Sequence, residues 1–240
     1  MKRLLLISNS TSHGSGYLDH CEKQIRHFLG EDTNQVLFVP YAQADMDIYA
    51  EKARLRFEMM DIPLVSIHAL DEPAKKVREA SAIFIGGGNT FLLLKRLYDN
   101  GLMDPIREAV KRGARYMGTS AGSNVACPTI QTTNDMPIVH PPSLYALNLV
   151  PFDLNPHYVD PDPDSIHMGE TRIERIKQFH ELNDIPVVGL REGSSLLIED
   201  RSIFLRGPTG AKIFIKDQEP KDFAPQSNLS FLMNGSRKDL

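Results

Sequence analysis

Short, wholly apolar runs alternate along this chain with longer segments in which apolar residues recur every three or four positions. A short apolar run that ends in polar residues or proline is typical of a strand buried on both faces, whereas spacings of three and four are typical of a helix with one apolar face. The pattern predicts strands at 4–7, 36–39, 64–67, 82–85, 115–117 and 187–190, and helices at 17–29, 45–60, 73–80, 91–98, 106–111 and 170–182.

This alternation determines the expected fold class. Strand-helix-strand units place successive strands in parallel and cover both faces of the sheet with helices, so we expect an α/β fold with a mostly parallel sheet. From Ser194 onward, apolar segments are separated by turns at 199–200 and 207–210, which predicts a closing antiparallel extension. Because no domain boundary or repeat is visible, we expect residues 1–240 to form one domain, with an irregular tail after about residue 216.

Composition narrows the function classes. Hydrophobic residues make up 41% and charged residues 24% of the 240 positions, which is ordinary for a globular protein. The net charge is −4 and no Lys/Arg-rich block is present, so nucleic acid is not an expected partner. The first apolar run is too short for a signal peptide or a membrane span. Cys21 and Cys127 are the only cysteines, and the sequence does not decide whether they form a disulfide. So few cysteines in a chain of this length favour a reducing, cytoplasmic location.

The segment Gly118-Thr119-Ser120-Ala121-Gly122 follows an apolar run and precedes small residues that suit a helix. This is the layout of a nucleophile elbow, in which glycines on both sides of a serine permit a sharp turn from strand to helix. The turn exposes the serine Oγ, and the first helical amide, that of Ala121, points to where an oxyanion would develop. We therefore predict that Ser120 is a nucleophile.

A second glycine-rich turn, Gly86-Gly87-Gly88-Asn89-Thr90, also follows a predicted strand. Ligands of parallel α/β sheets gather at the carboxyl ends of the strands, so the two turns are expected to face each other. Because glycine has no side chain, the main chain of this triple glycine can come close to the elbow and present a second N–H to the oxyanion. A phosphate cradle is disfavoured because neither nucleotide-binding glycine pattern is matched, and no metal-ligand spacing is present.

A serine nucleophile needs a base, and the base needs a carboxylate to fix its tautomer. Among eight histidines, His157 stands out because Asn155-Pro156-His157-Tyr158 predicts a rigid, exposed turn; the alternative is a surface histidine that caps a turn. Asp135 and Glu192 are both candidates for the acid, and both could equally cap loops. The other histidines are assigned structural roles: His13, His20, His27, His68, His140, His167 and His180.

Together these segments resemble peptidase E, the family of α-aspartyl dipeptidases, which is related to the class I glutamine amidotransferase fold. The similarity extends over about residues 4–215, and it is carried by 4–10, 86–90, 118–122, 132–138, Asn155-Pro156-His157 and Gly169-Glu170-Thr171-Arg172. It implies a flavodoxin-like fold and a serine peptidase, without cofactor or metal, that removes an N-terminal aspartate from Asp-Xaa dipeptides. Ser120 would be the nucleophile, His157 the base, and Asp135 or Glu192 the acid.

The resemblance also implies oxyanion donors at Gly88 and Ala121 and substrate contacts from Asn89 and Arg172. The sequence departs from bacterial members at Thr119 and Gln131, where they carry Trp and Arg, so the pocket is expected to differ in shape and charge.

Two other functions stay open. The elbow is also similar to that of cyanophycinase, which cleaves aspartate-linked side-chain amides, and a non-catalytic small-ligand binder could use the same fold. A glutaminase-type amidotransferase would need cysteine at position 120. The expected partner is a small peptide, with no membrane partner, and a homodimer is compatible with the sequence.

Overall fold

The computed structural model describes residues 1–162, 164 and 168–234. The strands within them are β1 Arg3–Ile7, β2 Val36–Val39, β3 Leu64–Ser66, β4 Ala82–Ile85, β5 Arg115–Thr119, β6 Asp153–Tyr158, β7 Val187–Arg191, β8 Ser195–Glu199, β9 Ser202–Arg206, β10 Ala211–Phe214 and β11 Lys221–Phe223. The α-helices are α1 Glu22–Leu29, α2 Met46–Glu58, α3 Pro73–Glu79, α4 Thr90–Asp99, α5 Met103–Arg112, α6 Ala121–Asn124 and α7 Arg172–Leu182. Short 3-10 helices cover Asp19–Cys21, Ile67–Ala69 and Ser230–Asn234.

The larger sheet has the strand order β3-β2-β4-β5-β1-β8-β9 within the described residues. The strands from β3 to β1 pair in parallel, whereas β8 and β9 are added antiparallel at the edge. The predicted α/β class, with a mostly parallel sheet and an antiparallel C-terminal extension, is therefore confirmed. Because β4, β5 and β1 are neighbours, the residues that follow their carboxyl ends lie side by side: Gly86, Ser120 and Ser8.

The side chains of β1 show why helices cover both faces of this sheet. Leu4 and Leu6 belong to one hydrophobic cluster, which includes apolar residues of α3, α4 and α5. Leu5 and Ile7 belong to a second cluster, which includes residues of α1 and α2. All four side chains are buried, and this two-sided burial is the reason that β1 is apolar at every position after Arg3.

A smaller sheet, with the order β11-β10-β7-β6, continues the same core. Leu154 of β6 and Leu190 of β7 lie in the hydrophobic cluster that contains Leu4. The sequence pattern predicted a turn, not a strand, at β6, because Pro156 interrupts it. Proline lacks the N–H needed in a central strand, but it is tolerated here because β6 is the outer strand of this sheet.

The chain after residue 216 contains more regular structure than expected. β11 pairs with β10, and the ring of Phe223 in β11 packs at a tilt against that of Phe231 in the last 3-10 helix, with ring centroids 5.6 Å apart. Residues 235–240 of the predicted tail lie outside the described residues.

Both cysteines, Cys21 and Cys127, are free and buried, so the structure contains no disulfide between them. Over the described ranges, the helices are too short or too polar to cross a membrane.

Candidate active site

Ser120 lies at a sharp turn between β5 and the short helix α6, and its backbone adopts φ 51° and ψ −111°. A positive φ is strained for a non-glycine residue, and such strain is frequent at functional sites. The flanking glycines are required sterically: a Cβ on Gly118 would collide with the carbonyl of Gly122, and a Cβ on Gly122 would collide with that of Ile85. The turn has the geometry of the predicted elbow.

The elbow is anchored from below by the hydroxyl of buried Ser123. This hydroxyl lies 2.7 Å from the carbonyl oxygen of Ile7 and 2.8 Å from that of Gly118, so it links α6 to the ends of β1 and β5. The hydroxyl of Tyr116 donates to the carbonyl of Gly122 at 2.6 Å. These buried bonds fix the direction in which the Ser120 side chain leaves the sheet.

The imidazole of His157 connects Ser120 to Glu192. His157 Nε2 lies 2.7 Å from Ser120 Oγ, and Nδ1 lies 2.6 Å from Glu192 Oε1. A carboxylate at Nδ1 holds the proton there and leaves Nε2 free to accept the proton of the serine hydroxyl. The side chains of His157 and Glu192 are 40% and 53% exposed, so this chain of hydrogen bonds opens to solvent.

His157 occupies a bulge in β6 rather than the exposed turn that the sequence pattern predicted. Its φ is 52°, and the register of β6 against β7 shifts between Pro156 and Tyr158. A bulge inserts one extra residue and changes the direction of its side chain, which places the ring above the elbow. Of the other histidines, His167 lies outside the described residues.

Ser8 and Asn9, which follow β1, support the histidine and the carboxylate from the larger sheet. Buried Ser8 Oγ accepts the N–H of His157 at 3.0 Å and donates to the carbonyl of Leu190 at 2.8 Å. Asn9 Oδ1 accepts the N–H of Gly193 at 2.8 Å, next to Glu192. Neither residue was predicted from the sequence to have a role, although polar residues directly after a buried strand are a signal for one.

Asp135 makes a different set of contacts from Glu192. Its Oδ2 accepts the N–H of Thr90 at 2.7 Å and the hydroxyl of Thr90 at 2.6 Å. Asp135 therefore binds the first residue of α4, where a carboxylate is favoured by the unpaired amides and the helix dipole. Of the two predicted acids, Glu192 is the one in contact with His157.

Asn89 is the N-cap residue of α4. Its Oδ1 accepts the N–H of Leu92 at 3.0 Å, and its Nδ2 donates to the carbonyl of Met136 at 2.8 Å. Both ends of the side-chain amide are thus engaged within the protein, which leaves one N–H and one lone pair for a ligand.

The glycine turn packs directly against the elbow. A Cβ built on Gly87 would lie 3.1 Å from the Cβ of Ser120, and Gly88 has φ +143°, a conformation that favours glycine. Among the hydrogen bonds of the described residues, none uses the amide of Gly88 or Ala121 as donor. These two amides are the predicted oxyanion donors.

Arg172 is the first residue of α7, and the chain is fixed there by a capping box between Thr171 and Glu174. Burial lowers the pKa of the Arg172 guanidinium, and nearby Arg175 lowers it further. Within the described part of the chain, no carboxylate lies within ion-pairing distance of Arg172. It also lies outside the hydrogen-bonded chain of Ser120, His157 and Glu192. No group of three metal-ligating side chains occurs among the described residues.

A serine, a histidine and a glutamate linked by hydrogen bonds, on an elbow above a mostly parallel sheet, define an α/β protein of the serine hydrolase class. The chain belongs to peptidase family S51, whose sequence model matches residues 4–206. It is 48% identical to peptidase E of Streptomyces coelicolor over 96% of this chain and 95% of that one. It is 46% identical to a Drosophila melanogaster protein named "Probable alpha-aspartyl dipeptidase", over 97% and 98%. The crystal structure of a peptidase from an acI-B1 actinobacterium has the same fold, with a TM-score of 0.71 and 17% identity over 96% of this chain and 97% of that one.

Proposed function

We propose that this protein is a serine exopeptidase that hydrolyses dipeptides with an N-terminal aspartate through an acyl-enzyme. The observation that carries the proposal is the short contact of His157 with both Ser120 and Glu192. Membership of peptidase family S51 and the names of the two relatives support the reaction and the substrate class.

The geometry suits the two halves of acyl transfer. His157 Nε2 takes the proton of Ser120 as Oγ attacks the scissile carbonyl, and the resulting imidazolium is stabilised by Glu192 at Nδ1. His157 then gives the proton to the leaving amine, and the C–N bond breaks to leave an aspartyl ester on Ser120. In the second half, His157 takes a proton from the water that attacks this ester. The ester C–O bond then breaks and His157 gives the proton to Ser120 Oγ, which releases aspartate and restores the enzyme.

Negative charge on the carbonyl oxygen needs donors that are already in place. In the proposal these donors are the amides of Gly88 and Ala121, whose N–H groups make no hydrogen bond within the described residues. Preorganised amides stabilise the tetrahedral intermediate without rearranging, and removal of one such donor costs roughly 10²–10³ in kcat in serine proteases.

We assign recognition of the substrate aspartate to Arg172. A carboxylate that enters a pocket loses hydration, and a planar guanidinium compensates with two parallel N–H···O bonds. Arg172 is partly buried and has no carboxylate partner among the described residues, so it is available for this pairing. Asn89, with its remaining N–H, is a second contact to the substrate.

The test compares kcat/KM on Asp-Leu, Asn-Leu and Glu-Leu. The wild type should prefer Asp-Leu, and Arg172→Met should lose nearly all of this preference. Arg172→Lys keeps the positive charge but cannot make two parallel hydrogen bonds to a carboxylate, so it should lose much of the preference. Arg175→Met is the matched control, because Arg175 lies one helical turn further on and pairs with Glu170 at 3.6 Å. An Arg172→Met enzyme with the wild-type preference would show that another group binds the aspartate.

A β-aspartyl isopeptide, in which the side-chain carboxyl of aspartate forms the amide, is added to the substrate panel to test cleavage of aspartate-linked side-chain amides. Preference for this isopeptide over Asp-Leu would replace the proposed substrate class. Failure to cleave any of these substrates and failure to react with a serine-directed phosphonate would favour the non-catalytic ligand binder.

We also propose that residues 1–240 form one peptidase domain, since both sheets contribute to one hydrophobic cluster. It needs no second subunit for chemistry, because Ser120, His157 and Glu192 come from one chain. Two free, buried cysteines support a cytoplasmic location.

A further inference from the structure

We propose that Gln43 is a positioning residue that fixes the orientation of the Gly87–Gly88 peptide, so that the Gly88 N–H faces Ser120. Gln43 follows the carboxyl end of β2 and is exposed. Its Nε2 donates to the carbonyl oxygen of Gly87 at 3.3 Å. The inference rests on the proposed function, because it concerns the donor of the oxyanion hole.

The contacts of Gly87 and Gly88 with their neighbours indicate how the peptide between them is oriented. A Cβ on Gly87 would touch Ser120, and a Cβ on Gly88 would lie 2.7 Å from Gln43 Nε2. The peptide between the two glycines is therefore located between the elbow on one side and Gln43 on the other. In a trans peptide the C=O and the N–H point in opposite directions. With the Gly87 carbonyl directed at Gln43, the Gly88 N–H is directed away from it, toward the elbow.

This orientation needs to be held, because two consecutive glycines oppose rotation of their common peptide only weakly. Rotation by half a turn would keep the backbone path and exchange the two groups. The Gly87 carbonyl oxygen would then face the developing oxyanion and would repel the oxyanion instead of stabilising it. A donor on the far side of the peptide selects the productive orientation, and the carbonyl partner requires the nitrogen end of the Gln43 amide to supply it.

Gln43 itself is fixed by helix α4. Arg96 Nη1 donates to the carbonyl oxygens of Tyr41 at 3.1 Å and Gln43 at 2.5 Å. The N–H of Asn89, the residue after Gly88, donates to the carbonyl of Ala42 at 2.9 Å. The backbone that carries Gln43 and the backbone that follows Gly88 are thus joined, so the side-chain amide has a defined distance to Gly87.

The experiment uses three variants of the full chain. Gln43→Met keeps the side-chain length and removes the donor. Gln43→Glu replaces the donor with an acceptor, which repels the Gly87 carbonyl and attracts the Gly88 N–H, and so favours the unproductive orientation. Gln35→Met is the matched control, since Gln35 is exposed at the opposite end of β2.

Two readouts separate this role from others. The first is the rate at which an uncharged phosphonofluoridate labels Ser120, which requires the oxyanion hole but no peptide substrate. The second is kcat and KM on Asp-Leu. We expect labelling and kcat to fall about three- to tenfold in Gln43→Met, the effect of one modest hydrogen bond, and further in Gln43→Glu. KM on Asp-Leu should stay within twofold in Gln43→Met, and Gln35→Met should match the wild type.

Labelling at the wild-type rate in both Gln43 variants would overturn the inference. A rise in KM with unchanged labelling would also overturn it, because Gln43 would then contact the substrate directly. Equal losses in Gln43→Met and Gln43→Glu, together with a lower melting temperature, would indicate a merely structural role. If the wild type is labelled and the variants follow the expected order, but no aspartyl dipeptide is cleaved, the inference holds and the proposed substrate is wrong.

Discussion

Two chains of hydrogen bonds that link a serine, a histidine and a carboxylate occur among the described residues, and they differ in geometry. In the candidate active site, Ser120 and His157 are 37 positions apart, and His157 Nε2 faces the hydroxyl. At the outer edge of the sheet, Ser66 Oγ lies 2.7 Å from Nδ1 of His68, two positions away, and His68 Nε2 lies 3.0 Å from Asp47 Oδ1. The contact between Ser66 and His68 is therefore local, whereas the contact between Ser120 and His157 depends on the fold.

The backbones of the two serines differ, and we expect this difference to give them different reactivity. Ser66 ends β3 with ordinary extended angles, φ −92° and ψ 131°, whereas Ser120 has the strained positive φ of an elbow. Ser120 also faces a glycine turn that can supply an amide to an oxyanion, and Ser66 has no glycine beside it in the sequence. Asp47 is 96% exposed, so it gives His68 little electrostatic support. We therefore expect that residue types alone do not make a nucleophile, and that backbone geometry and unpaired amides are needed as well.

The largest expected effect comes from Ser120→Ala. Loss of the proposed nucleophile should lower kcat/KM on Asp-Leu roughly 10⁴-fold or more, since the remaining groups only bind and polarise the substrate. The measurement is steady-state kinetics, combined with a serine-directed phosphonate and mass analysis of the labelled peptide. Circular dichroism and the melting temperature serve as controls for folding. An Ser120→Ala enzyme with near wild-type activity would contradict the proposed mechanism.

The next effect concerns the carboxylate of the same chain. Glu192→Gln keeps the size of the side chain but no longer fixes the Nδ1–H tautomer of His157 or stabilises the imidazolium. The equivalent change at a buried triad aspartate lowers kcat about 10⁴-fold. We expect a loss in kcat on the order of 10³-fold here, because Glu192 is half exposed. The loss should appear in kcat at nearly constant KM. A loss below about tenfold would show that Glu192 is not the partner that orients His157.

Asp135→Asn should have a smaller effect and a different signature. Asp135 binds the N–H and the hydroxyl of Thr90, so its replacement weakens the start of α4 rather than the charge on His157. We expect a loss of about 1 kcal/mol in the free energy of unfolding, which is typical of a lost helix cap, and at most a tenfold loss in kcat/KM. Urea denaturation measures the first and kinetics the second. A larger kinetic loss than in Glu192→Gln would transfer the acid role to Asp135.

The parts of this site that could be predicted from sequence are those that depend on local rules. Glycines on both sides of Ser120 indicate an elbow because the steric requirement lies within five residues, and the apolar runs indicate the buried strands for the same reason. The bulge at His157 could not be predicted, because it depends on the pairing of β6 with β7 and on Ser8, 149 positions earlier in the chain.

The choice between Asp135 and Glu192 is a second example of non-local information. Both are loop carboxylates in polar sequence, and nothing local distinguishes a helix cap from a histidine partner. The distinction appears only when α4 and β7 take their places around the elbow, with Thr90 beside Asp135 and His157 beside Glu192.

The smallest expected effect concerns Ser66, in the chain of hydrogen bonds at the sheet edge. Ser66→Ala should leave kcat/KM on Asp-Leu within twofold of the wild type, since Ser66 lacks an elbow and an adjacent glycine turn. Its loss should lower the free energy of unfolding by about 1 kcal/mol or less, the net contribution of one hydrogen bond that is partly exposed. The same change is also made in the Ser120→Ala variant, because any hydrolysis that remains in that variant has to come from another group. Two outcomes would show that the Ser66-His68-Asp47 chain is reactive: loss of the residual activity when Ser66→Ala is added to Ser120→Ala, or labelling of Ser66 by the phosphonate in Ser120→Ala. Either outcome would mean that a serine nucleophile depends less on backbone geometry than we expect.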